Sequence, residues 1–387
     1  MKHVVFFLLL SASLQGFGQS IAGTDLSHWY NPEHEVSLRI KVVNAGDSLI
    51  AFYELKSRGS LLVDDLTLEW ENRESYGQRK GTPLQARPQI LASEPTLQIG
   101  RLPFLRPTSP WLLTVFVKNV KSQQSWLYFK QLEANYPTDA WLGNKVPLFD
   151  TFVPQGKSPD LHYPSFNGVV NLFRYTTDFP AASPPFAEKE NRVAPLLKAD
   201  SLIRWNSDQP LPALSPGLYL AQVDSTSAYG LAFRITEGTY PRYTRLQDLT
   251  GPLMFVCTPE EFAQLRKAGD NKKEFDKVIL DITREAERAR NFMRSYFRRV
   301  ELANYYFTSY KEGWKTDRGM IYLIFGAPSE VIRTTDSESW NYKNHKVRFT
   351  FVKTGTLYDP DNFILVRDKR FTETWYSIID LWRKSRF

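Results

Sequence analysis

The 387-residue chain has a single cysteine, Cys257, which excludes an intrachain disulfide and a thiolate metal cluster. Its stability must therefore come from packed cores. Histidine is scarce too. After the first eighteen residues only His28, His34, His162 and His345 remain, none at HExxH or other ligand spacing, which argues against a zinc site. No apolar run reaches the ~20 residues needed to span a bilayer. A Gly-x-Ser-x-Gly elbow, a P-loop and a GxGxxG run are all missing from the sequence, so serine-hydrolase and nucleotide-binding readings lack their usual cues. No catalytic residues, no metal and no cofactor are expected, and the chain reads as a non-enzyme.

What the chain does contain is aromatic and apolar. Apolar residues make up 42% and aromatic ones 14%, enough for real cores, and 24 prolines favour β-rich units with many turns. The length suits two or three domains. The formal charge of +7 becomes +6 (7 − 1) once Lys2 is set aside, which suits anionic surfaces but falls short of a nucleic-acid footprint. Lys2, an apolar run from Val4 to Leu10 and small residues at Gly16 and Gly18 have the layout of a secretory signal peptide over 1–18. The expectation is an exported protein of the periplasm or the periplasmic face of the outer membrane, with no membrane-spanning segment after cleavage.

From Val36 to Tyr136, short strand patterns recur between Gly, Pro and Ser punctuation. "VSLRIKVV" and "LIAFYEL" flank "NAGDS", a hairpin with Asn44 and Gly46 at its turn. Leu66, Leu68 and Trp70 alternate with Thr67, Glu69 and Glu71. Six or seven strands over ~100 residues predict an immunoglobulin-like β-sandwich across 19–136. A second β-rich domain is expected over 137–257, with strands at "PLFDTFVPQ", "VVNLFRYTT", "GLYLAQVD", "YGLAFRIT" and "GPLMFVC"; one large β-domain covering both regions is the alternative. "DFPAASPPFAEKE" reads as a loop because its prolines cannot join a ladder.

At residue 258 the texture turns helical. Thr258, Pro259 and Glu261 spell a capping box with proline at the first position, flanked by Cys257 and Phe262 as a hydrophobic staple. A long helix is then predicted from Asn271 to Tyr310. Phe275, Ile279, Ile282, Ala286, Ala289, Met293, Tyr296, Val300, Ala303, Phe307 and Tyr310 form an unbroken heptad seam along it. The seam packs against an intramolecular partner or a second copy. Arg290, Arg294 and Arg298 form an i, i+4 row beside it, either a solvated face or a docking stripe for acidic partners or anionic glycans and lipids.

The stretch "EGWKTDRGMIYLIFGAPSEV" follows. Gly313 suits a left-handed helix cap, Trp314 a wedge against the last helical turn, Thr316 and Asp317 a tight turn, and Gly319 a close backbone approach. "MIYLIF" reads as a buried strand. Gly313-Trp314-Lys315-Thr316-Asp317, then Arg318-Gly319, "IYLIFGAPSEV" and "SESWNY", resembles the GWxTD domain of exported Bacteroidota proteins over about 258–387. That resemblance implies an envelope component without catalytic residues to carry over. Downstream, "ESWNY", "KVRFTFVK" and "NFILVR" predict a small antiparallel sheet. "TETWYSIIDLWRKSRF" predicts an amphipathic helix capped by Thr372, with Trp375, Ile379 and Trp382 on one face. The third domain is thus α+β. "YDPDN", with Asp359 and Asp361, reads as a turn, since the rest of a calcium-loop pattern is missing.

Two functions stay open. One is a protein-interaction or assembly component docking other envelope proteins. The other is a glycan- or peptidoglycan-binding, even hydrolytic, protein using aromatic faces such as Trp29 and Trp141, with Trp70, Trp111 and Trp126 assigned to core.

Overall fold

The structure, a computed structural model, describes residues 19–106, 111–132, 140–157, 159–176, 178–189 and 197–386. The predicted signal peptide and the boundary at 136–137 lie outside these residues.

Eight strands open the chain: β1 (Val36–Ala45), β2 (Ser48–Ser57), β3 (Leu66–Arg73), β4 (Thr82–Pro83), β5 (Gln89–Glu94), β6 (Leu97–Leu105), β7 (Trp111–Asn119) and β8 (Ser125–Leu132). They form two antiparallel sheets, ordered β1-β2-β6-β5 and β4-β3-β7-β8. The inward residues of both sheets, among them Leu38, Tyr53, Trp70, Leu102, Trp111 and Val115, share one buried cluster. Trp126 packs against it half-buried. Register sets Ala45 opposite Ser48, so Gly46 and Asp47 make the β1–β2 turn, Gly46 at φ 70°, while Asn44 belongs to the strand.

The second β region contains β9 (Trp141–Leu142), β10 (Phe152–Pro154), β11 (Leu161–His162), β12 (Val169–Tyr175), β13 (Ser201–Asn206), β14 (Gly217–Gln222) and β15 (Leu231–Thr236). Five of them form a sheet ordered β10-β15-β14-β12-β13, antiparallel except at β10–β15. The sheet is buried on both faces around β14. Tyr219 and Ala221 face one cluster, while Leu218 and Leu220 face another that also holds Tyr310 and Tyr358 of the C-terminal region. Continuous apolar sequence in "GLYLAQ" follows from that double burial. The expected strand at "GPLMFVC" is instead a 3-10 turn over Gly251–Phe255, begun by Pro252 after α1 (Leu246–Thr250).

The helical layer comprises α2 (Pro259–Ala268), α3 (Lys272–Thr283), α4 (Ala286–Phe307) and α5 (Asp317–Phe325). The capping box at Thr258 forms as read, with Thr258 Oγ1 accepting from Glu261 N–H and the Glu261 carboxylate accepting from Thr258 N–H. The single long helix does not form. Arg284 adopts a left-handed conformation at φ 65°, Glu285 is extended, and two helices replace the predicted one. Each then buries its own face: Phe275, Val278, Ile279 and Ile282 on α3; Phe292, Tyr296, Val300, Ala303 and Phe307 on α4. Ala286 is exposed, and Phe292 takes the core position expected of Met293. Both faces join one intramolecular core with α5 and the final helix.

The chain ends in β16 (Glu330–Arg333), β17 (Ser337–Tyr342), β18 (Val347–Lys353), β19 (Phe363–Leu365) and α6 (Thr372–Arg383). The strands form an antiparallel sheet in sequence order. Trp375, Ile379 and Trp382 are buried as predicted. Thr372 is the first helical residue rather than the cap; its hydroxyl donates to Lys369 O at 2.6 Å, and Asp368 caps the preceding turn by accepting from Arg370 N–H.

Candidate functional site

The signature residues meet where α4 ends and α5 begins. α4 stops at Phe307, and the chain returns through a 3-10 turn, Gly313–Lys315, that lies against α4 itself. Gly313 is not left-handed, contrary to its reading as a cap. It is glycine for lack of space: a Cβ there would sit 2.1 Å from Ala303 O and 2.6 Å from Asn304 Cα. Gly319 is tighter still, with 1.8 Å from an added Cβ to Gly313 O. These two glycines let α5 start directly on the turn.

"MIYLIF" is therefore helix, not strand. Thr316 caps α5, its Oγ1 accepting from Gly319 N–H at 3.0 Å while donating to Gly313 O at 2.8 Å. Met320 to Phe325 are all buried, among α4, α6 and the C-terminal sheet. A helix enclosed on every side carries no polar face, so its sequence loses the 3.6-residue rhythm.

Trp314 meets the last turn of α4 through its backbone, whereas its indole, expected to wedge against that turn, bonds to Tyr243. Its backbone N–H donates to Asn304 Oδ1 at 3.2 Å and its Nε1–H to Tyr243 Oη at 3.0 Å. The ring packs edge-on against Phe255. Asp317 reaches across to the sheet rather than closing a local turn. Its Oδ2 accepts from Leu365 N–H at 3.1 Å and its Oδ1 from Arg367 Nη2 at 2.5 Å, both side chains nearly out of solvent.

Arg318 points the other way, into a buried charge network that the sequence did not announce. Its guanidinium lies 4.5 Å from the Phe363 ring centroid and donates to Asp361 O at 3.1 Å. It also lies 3.8 Å from Glu338 Oε1. Glu338, fully buried, accepts from Tyr30 Oη at 2.9 Å and Trp340 Nε1 at 2.7 Å. Arg333 bridges Glu338 at 3.7 Å and Asp361 at 3.8 Å. Asp361 also takes Lys130 at 2.6 Å and Lys353 at 3.3 Å. Burial pushes the Asp361 carboxyl up, but Lys130, Arg333 and Lys353 outweigh it and hold it below the usual range. Burial and the adjacent Asp361 charge push Asp359 up to about 6. "YDPDN" is thus a turn whose carboxylates face cations, and among the described residues no group of three or more acidic, His or Cys side chains could hold a metal. Tyr30 and Lys130 belong to the N-terminal region, so the network ties it to the C-terminal sheet.

The signal for these partners is absent from local sequence, because Tyr30, Lys130, Glu338 and Asp361 meet only through tertiary packing. Arg290, Arg294 and Arg298 are all exposed on α4, and Arg298 pairs with Glu301 at 3.1 Å. They lie apart from the charge network.

Residues 217–384 match the GWxTD domain. The GWxTD domain thereby starts in β14, upstream of the expected 258, and takes in β14 and β15 together with the helices and the final sheet. No curated protein matches the chain.

Two hollows border the GWxTD joint. One, of about 1120 Å³, lies between residues 182–189 and the β18–β19 edge and is lined in part by Lys311, Thr316, Asp317 and Arg367. The other, of about 750 Å³, is lined by Arg39, Lys41, Lys130, Arg318, Asp359 and Asp361, among others. No helix among the described residues is long and apolar enough to cross a membrane. Cys257 is half-buried, and burial first, then the Glu261 charge, pushes its thiol up to about 12, which suits packing rather than reactivity.

Proposed function

We propose that the protein is a non-enzymatic component of the bacterial cell envelope, exported by a signal peptide over 1–18, whose folded body docks other envelope proteins. One observation carries the reading: the polar groups of Trp314, Thr316, Asp317 and Arg318 engage groups of this chain. A joint bonded in this way suits a scaffold. The strand orders β1-β2-β6-β5 and β4-β3-β7-β8 around a shared core support an immunoglobulin-like reading of the N-terminal unit, a fold common in docking modules. The surfaces left for partners include the row Arg290, Arg294 and Arg298 and the fully exposed edge strand β5.

The aromatic faces nominated for glycan stacking are engaged internally, which weighs against that alternative. Trp29 stacks on Tyr128 at 6.1 Å and donates Nε1–H to Leu127 O, and Trp141 stacks on His162 at 5.2 Å. The test is photo-crosslinking in intact cells from probes at positions 290 and 294. Discrete protein adducts from the envelope fraction support the proposal; a clean monomer overturns it. Retention of the purified chain on isolated cell wall favours the glycan reading instead.

A further inference from the structure

Lys311 is 5% exposed, yet among the described residues no carboxylate lies within ion-pair distance of its Nζ. The nearby acids are taken. Lys315 pairs with Glu312 at 3.1 Å and Asp178 at 2.7 Å, and Arg367 pairs with Asp317 at 2.5 Å. Lys311 Nζ donates to Pro180 O at 3.1 Å and lies 5.7 Å from the Tyr310 ring centroid. An ammonium has three protons to place and a buried cation costs several kcal/mol when unpaired. Desolvation accordingly pushes it down to about 8.

A second feature of the same cavity points to what would pair with it. The outer face of the C-terminal sheet is polar along β17, where Ser337, Ser339 and Asn341 alternate with the buried Glu338, Trp340 and Tyr342. At the β18–β19 end it turns apolar. Val352 sits opposite Ile364 in register, Val366 follows two residues on, and Val352 and Val366 are 41% and 48% exposed. A solvated sheet face is ordinarily polar. All three residues line the cavity that holds Lys311, as does Phe186.

We infer that this cavity is a binding site for an aliphatic monocarboxylate, its carboxylate on Lys311 and its chain along Val352, Ile364 and Val366. The inference does not depend on the docking function proposed above. The carboxylate adds a direct partner to a cation that Asp317 and Glu312 reach only from beyond ion-pair distance, and the chain covers apolar surface at the sheet edge.

The experiment titrates the full chain with dodecanoate and, in parallel, with dodecanol. Dodecanoate is expected to bind saturably, with Lys311→Met weakening it roughly tenfold or more while barely changing dodecanol. If Lys311→Met does not fold, Val366→Glu at the exposed edge decides, with the same loss of dodecanoate expected. Absence of saturable binding, equal affinity for acid and alcohol, or unchanged dodecanoate binding in the folded variant overturns the site. So does saturable binding of a leucine-rich peptide's free C terminus in place of dodecanoate.

Discussion

A Cβ on Gly319 would lie 1.8 Å from the carbonyl oxygen of Gly313, and that oxygen already accepts from Thr316. The obstacle is backbone, which cannot rotate away as a side chain could. Gly319→Ala must therefore separate α5 from the turn that starts it. It is expected to be destabilising by at least ~3 kcal/mol, at the upper end for single substitutions. Denaturant unfolding of the purified variant, or its failure to accumulate in soluble form, checks this. Gly77→Ala is the control, since nothing lies within 4 Å of its Cβ position and its φ is not positive.

The charge network separates strong from weak contributors by burial. Glu338 is fully buried beside Arg318 and Arg333, so Glu338→Ala leaves two buried cations underpaired and should cost about 3–5 kcal/mol. Lys130 and Asp361 are each more than a third exposed, so Lys130→Ala should cost under ~1 kcal/mol despite its 2.6 Å contact. Comparable losses from the two substitutions would contradict this ordering.

His28 supplies a pH dependence. Its Nε2–H donates to Leu127 O at 3.1 Å, and burial, with the neighbouring His34, lowers its pKa to about 4. A base whose folded pKa lies below its unfolded value near 6.5 is protonated first in the unfolded chain. Stability is then lost as pH falls from about 6.5 toward 4, by at most ~3 kcal/mol for this group. His28→Asn should flatten that part of the curve, measured as urea midpoints between pH 7 and pH 4.5. A wild-type slope retained in the variant would assign the effect elsewhere.

The arginine row makes the opposite forecast. Arg290 and Arg294 are exposed and have no ion-pair partner among the described residues, so Arg290→Gln with Arg294→Gln should leave stability within about 0.5 kcal/mol. Only partner capture should respond. A large drop in the unfolding midpoint would mean that the row has a structural role.

How far the sequence reached depended on whether each signal was local. Strand alternation in Leu66 to Glu71 and the capping box at Thr258 each sit within a few residues, and both formed. The break at Arg284 left no mark, because arginine is an uncommon left-handed residue and the heptad spacing ran straight across it. "MIYLIF" was ambiguous by nature: a short apolar run fits a buried strand or a buried helix. The deciding cue was Thr316 three residues before Gly319, the spacing of its cap hydrogen bond. Tyr30, Glu338 and Lys311 acquire meaning only in three dimensions, from neighbours up to 308 residues away.

The GWxTD signature is a joint in which Asp317 makes the link from helix to sheet. Its carboxylate joins α5 to β19 through Leu365 N–H and Arg367, with little solvent contact. Asp317→Ala removes the buried carboxylate that both Leu365 N–H and Arg367 donate to and should cost about 3–5 kcal/mol. Thermal unfolding of Asp317→Ala beside the wild type, with crosslinking from intact cells on the same pair, is the decisive measurement. A clearly lowered midpoint is expected. An unchanged midpoint together with lost crosslinked partners would contradict it and make the signature a binding surface.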